Sequence, residues 1–86
     1  MPEVIIYTSS SCPYCLRAKT LFQRKNLLFK EINIDGDEEL KTGMIQKAGG
    51  RKTVPQIFIN DVHIGGCDDL YALEQQGKLQ PLLSDN

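Results

Sequence analysis

The order of apolar and polar positions divides the first half of the chain into short β-type runs and a helical run. Residues 4–8 form a continuous apolar run rich in β-branched side chains, typical of a strand covered on both faces. Over residues 13–25, apolar side chains recur every three or four positions, which predicts an amphipathic helix. Residues 28–34 predict a second strand. A strand, helix and strand of these lengths favour a right-handed parallel unit.

A weaker apolar stripe over residues 37–47 predicts a second helix. Asp35 followed by Glu38 has the spacing of a capping box, which would place the start of this helix. Gly49 and Gly50 follow the stripe and would end the helix.

Two further β-type runs, residues 56–59 and 62–64, stand on either side of Asn60-Asp61. A pair of this type between two β-rich runs predicts a tight hairpin of antiparallel strands. A last helix is predicted from about Asp68 to Gly77. The predicted order is therefore β-α-β-α-β-β-α.

A Gly-Gly pair precedes that last helix, and residues 80–83 predict a further short helical turn. The chain has 86 residues, of which 41% are hydrophobic and 24% charged. This composition fits one modest core, so we expect a single domain over residues 1–86.

Charge and hydropathy exclude several classes of partner. The formal net charge of -1 gives no support for binding nucleic acid or an acidic membrane surface. No apolar run approaches the roughly 20 residues that span a bilayer. The first residues lack the pattern of a signal peptide, and three cysteines do not suit a secreted disulfide framework, so we expect a cytoplasmic protein.

The candidate chemistry lies where the first strand meets the first helix. If Cys12 caps the helix and Pro13 takes its first position, the free amides and the dipole of the helix terminus point at the Cys12 sulfur. Helix N-termini favour the thiolate form of cysteine. Cys12 is therefore the predicted nucleophile, and Cys15, one turn further along, is the predicted partner that attacks it.

Three motifs at mutually consistent spacing carry a family resemblance: residues 12–15 (CPYC), 53–55 (TVP) and 65–69 (GGCDD). Together they resemble a dithiol glutaredoxin of the small bacterial type, over nearly the whole sequence. The resemblance implies an α/β, thioredoxin-like fold with a four-stranded mixed sheet flanked by helices. It also implies a glutathione-dependent thiol–disulfide oxidoreductase that reduces glutathionyl mixed disulfides and protein disulfides, with electrons from glutathione.

The resemblance assigns roles to the two cysteines. Cys12 would form the mixed disulfide with glutathione, and Cys15 would resolve protein disulfides. Tyr14 would flank the sulfur. Since residues 9–11 are serines where many family members carry a basic residue, we expect the helix terminus to be the main support of the thiolate.

The resemblance also implies a glutathione site. The Val54–Pro55 bond would be cis, which leaves the backbone N–H and C=O of Val54 free to pair with the tripeptide like an added strand. The γ-glutamyl carboxylate would sit on the amides of Cys67 and Asp68 at a helix N-terminus. Asp68 would take the ammonium group, and Arg51, helped by Lys52, the glycine carboxylate. The implied glutathione-binding residues are Tyr14, Arg51, Thr53, Val54, Pro55, Gly66, Cys67 and Asp68.

Two other hypotheses concern metal. Cys12, Cys15, His63 and Cys67 could be counted as four zinc ligands, although the interval from Cys15 to His63 is far longer than in compact zinc fingers. A glutathione-ligated iron–sulfur cluster between two chains occurs in some relatives, but Pro13 argues against it. We therefore expect no metal and a monomer, and we interpret Cys67 as a small, partly buried thiol.

The sequence alone does not identify the protein partners. Ribonucleotide reductase, a sulfur-assimilation enzyme and glutathionylated proteins in general are all compatible with the motifs. Glutathione is the one co-substrate that the resemblance names.

Overall fold

A four-stranded sheet organises the fold in the computed structural model, which describes residues 2–83. The strands in chain order are β1 (Val4–Thr8), β2 (Lys30–Asn33), β3 (Gln56–Ile59) and β4 (Val62–Gly65). The helices are α1 (Pro13–Arg24), α2 (Glu38–Lys47), α3 (Cys67–Gln75) and α4 (Leu79–Leu83). The expected domain over residues 1–86 extends beyond the described residues at both ends.

The sheet has the order β2-β1-β3-β4 and is mixed. β1 runs parallel to β2 and antiparallel to β3, and β3 and β4 form an antiparallel hairpin. Asn60 and Asp61 at its turn have φ angles of 50° and 66°, the positive values that a two-residue hairpin of the primed type requires. The predicted parallel unit, the hairpin and the thioredoxin-like fold are confirmed.

Side chains alternate between the two faces of the sheet and form two cores. The larger core lies between the sheet and helices α1, α3 and α4. Its buried members are Val4, Ile6, Ala18, Leu21, Phe22, Ile57, Ile59, Leu70, Leu79 and Leu83. The smaller core lies on the α2 side, and its buried members are Tyr7, Met44, Ala48 and Phe58.

The predicted strands at residues 4–8 and 56–59 match β1 and β3, whereas β2 is shorter than residues 28–34. Its pairing with β1 begins at Lys30, which lies opposite Ile5. In this register Leu28 lies opposite residue 3, before β1 begins, and its side chain is 80% exposed. The apolar character of Leu28 was therefore not the sign of a strand.

The capping box predicted at Asp35 and Glu38 is wrong. Asp37 caps α2, and its Oδ1 accepts from the Leu40 N–H at 3.0 Å. The Asp35 carboxylate instead accepts from the Ser9 hydroxyl at 2.8 Å and the Ser10 N–H at 2.9 Å. Because β1 and β2 are parallel, the loops that follow them lie side by side, and Asp35 ties the loop before Cys12 in place.

Within residues 2–83, no helix is long and apolar enough to cross a membrane.

Candidate active site

Cys12 occupies the N-cap of α1. Its backbone is extended (φ -108°, ψ 105°), Pro13 follows in the first turn, and the Cys15 N–H donates to the Cys12 Sγ at 3.1 Å. Pro13 has no N–H to leave unsatisfied at this position, so it begins the helix without cost. The thiol of Cys12 also lies 3.6 Å from the Val54 carbonyl oxygen, in donor geometry. The half-buried sulfur therefore lies between a helix terminus and the loop that carries the TVP motif.

Cys15 differs from Cys12 in exposure. It is only 1% exposed, and burial, followed by the hydrogen bond with Cys12, raises the pKa of the Cys15 thiol to about 12. The Cys15 side chain is therefore a neutral thiol near pH 7. This asymmetry leaves Cys12 as the sulfur that an incoming disulfide reaches first.

Beside the TVP motif lies a groove of about 240 Å³, which we call the TVP groove. It brings together every glutathione-binding residue that the resemblance implies. Its lining is Tyr14, Arg51, Thr53, Val54, Pro55, Gly66, Cys67, Asp68 and Asp69. Three separate segments of the chain therefore meet at one surface, and one of them, through Val54, contacts the Cys12 thiol. Lys52, expected to help Arg51, does not line this groove and lines another cavity instead.

One wall of the TVP groove is the N-terminus of α3. Gly66 is the N-cap, and the Leu70 N–H donates to its carbonyl oxygen at 3.0 Å. The part of the chain that the structure describes provides no hydrogen bond to the N–H groups of Cys67 and Asp68. Free amides and the positive end of a helix dipole favour an anion at this place.

Asp69 is the groove residue that sequence reasoning missed. Its Oδ2 accepts from the Gly66 N–H at 2.9 Å and pairs with the Arg51 Nη1 at 3.0 Å. The Gly66 hydrogen bond, followed by that from Arg51, lowers the pKa of the Asp69 carboxyl below its usual value. An acidic residue three positions after an N-cap is the second half of a capping box, and that spacing was the available signal.

The segment before β3 also lines the groove. The Val54–Pro55 bond is cis, as expected. The Val54 carbonyl oxygen accepts from the Cys12 thiol, and this bond is lost when Cys12 is a thiolate or forms a disulfide. The Val54 N–H has no hydrogen-bond partner among residues 2–83. This N–H therefore remains available to a ligand in the TVP groove.

A second cavity, of about 530 Å³, is lined by Cys12 itself and by the serines of residues 9–11. Lys19 and Glu31 pair at 3.0 Å in its lining. The Thr8 hydroxyl donates to Glu31 at 2.6 Å, and this bond, followed by the one from Lys19, lowers the pKa of the Glu31 carboxyl. The charges here are mutually neutralised, unlike the free amides of the TVP groove.

Two residues of the alternative zinc hypothesis, His63 and Cys67, have other contacts. His63 hydrogen-bonds to Gln56 at 2.7 Å. Cys67 is buried in the first turn of α3, and burial raises the pKa of its thiol. Within the described part of the chain, no three His, Cys, Asp or Glu side chains are grouped as metal ligands.

The fold and the site together define a thioredoxin-like dithiol oxidoreductase. Comparison with known proteins narrows this class. The family model described as Glutaredoxin matches residues 4–64. A glutaredoxin of Pseudomonas aeruginosa is 58% identical over 84 residues, covering 98% of this chain and 99% of the relative. Glutaredoxin 3 of Escherichia coli is 55% identical over 83 residues, covering 96% and 99%.

A solved structure is also similar. The crystal structure of a buckwheat glutaredoxin–glutathione complex superposes with a TM-score of 0.85 at 32% identity, covering 93% of this chain and 74% of the buckwheat chain. The chain belongs to the glutaredoxin family. It is a glutathione-dependent thiol–disulfide oxidoreductase, as the three motifs predicted.

Proposed function

We propose that Cys12 performs the exchange on glutathionyl mixed disulfides. Its thiolate attacks the glutathionyl sulfur, a new disulfide forms between Cys12 and glutathione, and the substrate leaves as a thiolate that takes up a proton. A second glutathione thiolate then attacks the bound glutathionyl sulfur. The products are glutathione disulfide and the free Cys12 thiolate, so one free glutathione is consumed for each mixed disulfide that is reduced.

Cys15 acts when the substrate is a protein disulfide. Cys12 attacks one substrate sulfur, and Cys15, after losing its proton, attacks the Cys12 sulfur and releases the reduced substrate. Two glutathiones then reduce the Cys12–Cys15 disulfide. The position of Cys15 one turn inside α1, with its N–H on the Cys12 sulfur, supports this role. Its raised pKa means that it attacks only once a base has removed the proton.

The TVP groove holds the tripeptide. The free amides of Cys67 and Asp68 suit the γ-glutamyl carboxylate, and the exposed side chain of Asp68 suits the ammonium group. The Val54 N–H suits a backbone carbonyl of the ligand. That the buckwheat relative was solved with glutathione supports this assignment.

Arg51, which lines the groove beside the start of α3, suits the glycine carboxylate of the tripeptide. Its Nη1 is already held by Asp69 at 3.0 Å, so the remaining N–H groups of the guanidinium are oriented for a carboxylate in the groove. Tyr14, which is exposed and lines the same groove, flanks the sulfur.

The setting of this activity is also a proposal. We place the protein in the cytoplasm as a monomer, and its net charge of -1 supports a function without nucleic-acid or membrane partners. Glutathionylated proteins and disulfide-containing enzymes, ribonucleotide reductase among the candidates, are the substrate class that the dithiol motif supports.

One observation carries these assignments: the Cys12 sulfur contacts the same loop that walls the TVP groove. The test is glutathione-dependent reduction of a glutathionylated peptide and of a protein disulfide by the wild type, Cys12→Ser and Cys15→Ser. Cys12→Ser should abolish both reactions, whereas Cys15→Ser should keep the first and lose the second. Activity retained by Cys12→Ser, or loss of both reactions in Cys15→Ser, would contradict the separate roles.

A further inference from the structure

A buried amide links the TVP motif to the far edge of the sheet. Gln56, the first residue of β3, is 0% exposed. Its Nε2 donates to the Thr53 carbonyl oxygen at 2.9 Å and to the Thr53 Oγ1 at 3.3 Å. Its Oε1 lies 2.7 Å from the His63 Nε2 on β4. Both ends of the amide are paired, as burial of a polar side chain requires.

The direction of each hydrogen bond follows from the chemistry of the groups. The Thr53 carbonyl can only accept, so the Gln56 NH₂ faces it and the Gln56 oxygen faces His63. The His63 Nε2 must then be the donor, whether the ring is neutral or charged. The His63 ring is further fixed by Phe58, whose ring centroid lies 5.1 Å away. One chain of hydrogen bonds therefore runs from His63 on the edge strand through Gln56 to Thr53 at the groove, and each donor in it is known.

That chain orients the peptide unit at the groove wall. A trans peptide unit is planar, and its C=O and N–H point in opposite directions. Because the Thr53 carbonyl is turned toward the buried Gln56 amide, the Val54 N–H points away from it. The Val54 N–H has no partner within residues 2–83, and both residues line the TVP groove.

We infer that His63 and Gln56 are positioning residues for glutathione. They hold the Thr53 carbonyl so that the Val54 N–H is presented to the backbone of the tripeptide, although neither side chain lines the groove. This inference rests on the proposed role of the TVP groove. It adds two residues that the motifs at 53–55 and 65–69 do not include.

The test compares two substitutions of His63. His63→Gln keeps an N–H donor near the position of Nε2, whereas His63→Leu removes the donor. Loss of one hydrogen bond in the chain should raise the KM for a glutathionylated peptide about three- to ten-fold in His63→Leu, with kcat changed less than about two-fold. His63→Gln should stay near the wild-type KM.

His63→Gln also separates the hydrogen bond from charge. His63 lies near enough to Asp69 to contribute to its low pKa, after the larger effects of the Gly66 N–H and Arg51. Both His63 variants have uncharged side chains, so a difference between them reports the donor alone. Gln56→Leu gives a second test, and it should raise the KM at least as much as His63→Leu does.

Three results would overturn the inference. One is an unchanged KM in His63→Leu while Arg51→Ala raises it, which would leave the groove assignment intact. Another is an unchanged KM in both His63→Leu and Arg51→Ala, which would contradict the assignment of the TVP groove as well. The third is an equal loss in His63→Gln and His63→Leu, with kcat and thermal stability falling together, which would show a purely structural role.

Discussion

The guanidinium of Arg51 and the carboxylate of Asp69 meet at 3.0 Å at the TVP groove. Both side chains are nearly half exposed (46% and 48%), so the ion pair itself contributes at most about 1 kcal/mol. Its importance is geometric, because the same Asp69 oxygen accepts from the Gly66 N–H. One carboxylate therefore fixes Arg51 relative to the N-terminus of α3.

This relationship predicts a pH effect on stability. The pKa of Asp69 is lowered, first by the Gly66 N–H and then by Arg51. Its stabilising contribution is therefore complete above the unfolded-state pKa of about 3.9, and is lost as the pH falls through the lower folded-state pKa. In Asp69→Asn, the free energy of unfolding should decrease less steeply as the pH falls into the acid range. The same substitution should lower the free energy of unfolding by about 1 kcal/mol at neutral pH.

Urea unfolding of the wild type and Asp69→Asn from pH 2 to pH 7 measures this effect. Asp61→Asn removes the same charge at the β3–β4 turn and serves as the matched control. An equally steep decrease in the free energy of unfolding at acid pH in the wild type and Asp69→Asn would show that Asp69 is not stabilised in its charged form.

Gly65 provides a test of whether the Arg51–Asp69 pair shapes the TVP groove. Its φ is +116°, and an added Cβ would overlap the Asp69 carboxylate and lie 2.9 Å from the Arg51 Nη1. Gly65→Ala should therefore cost about 1–3 kcal/mol of stability from backbone strain and also weaken glutathione binding, because the Arg51–Asp69 pair must move.

Gly36→Ala is the control for backbone strain alone. Gly36 also has a positive φ, +70°, but its added Cβ would meet nothing within 4 Å. It should cost about 1–2 kcal/mol and leave the KM for a glutathionylated peptide unchanged. Equal KM values for the two variants would mean that Asp69 and Arg51 do not shape the ligand site.

The three cysteines should differ sharply in alkylation. Burial raises the pKa of Cys15 to about 12 and also raises the pKa of Cys67, whereas Cys12 is the sulfur open to solvent. Iodoacetamide at pH 7 should label the reduced, folded protein once, on Cys12, and unfolding in urea should allow all three to react. Peptide mapping by mass spectrometry detects the labelled residue. Rapid labelling of Cys15 in the folded protein would contradict the assigned nucleophile.

Local rules explain why much of the fold could be predicted. The runs at β1 and β3 are continuous and apolar, because these two central strands are covered on both faces. Pro13 is tolerated only near the start of a helix, so the CPYC spacing placed Cys12 at the cap. The family resemblance then supplied the residues of the groove, which come from distant segments.

The missed contacts depend on which segments meet in three dimensions. Asp35 was assigned to a helix cap, but the parallel pairing of β1 and β2 places it against Ser9 and Ser10. Asp69 gained its role from the approach of Arg51, which is 18 positions away in the chain. Spacing along the sequence does not encode either approach.

The most direct test of the proposed glutathione site is the structure of the Cys15→Ser variant trapped as its mixed disulfide with glutathione. We expect a disulfide to Cys12, with the tripeptide in the TVP groove, a backbone carbonyl on the Val54 N–H and the γ-glutamyl carboxylate at the start of α3. A tripeptide lying in the cavity beside residues 9–11, with the TVP groove empty, would contradict it.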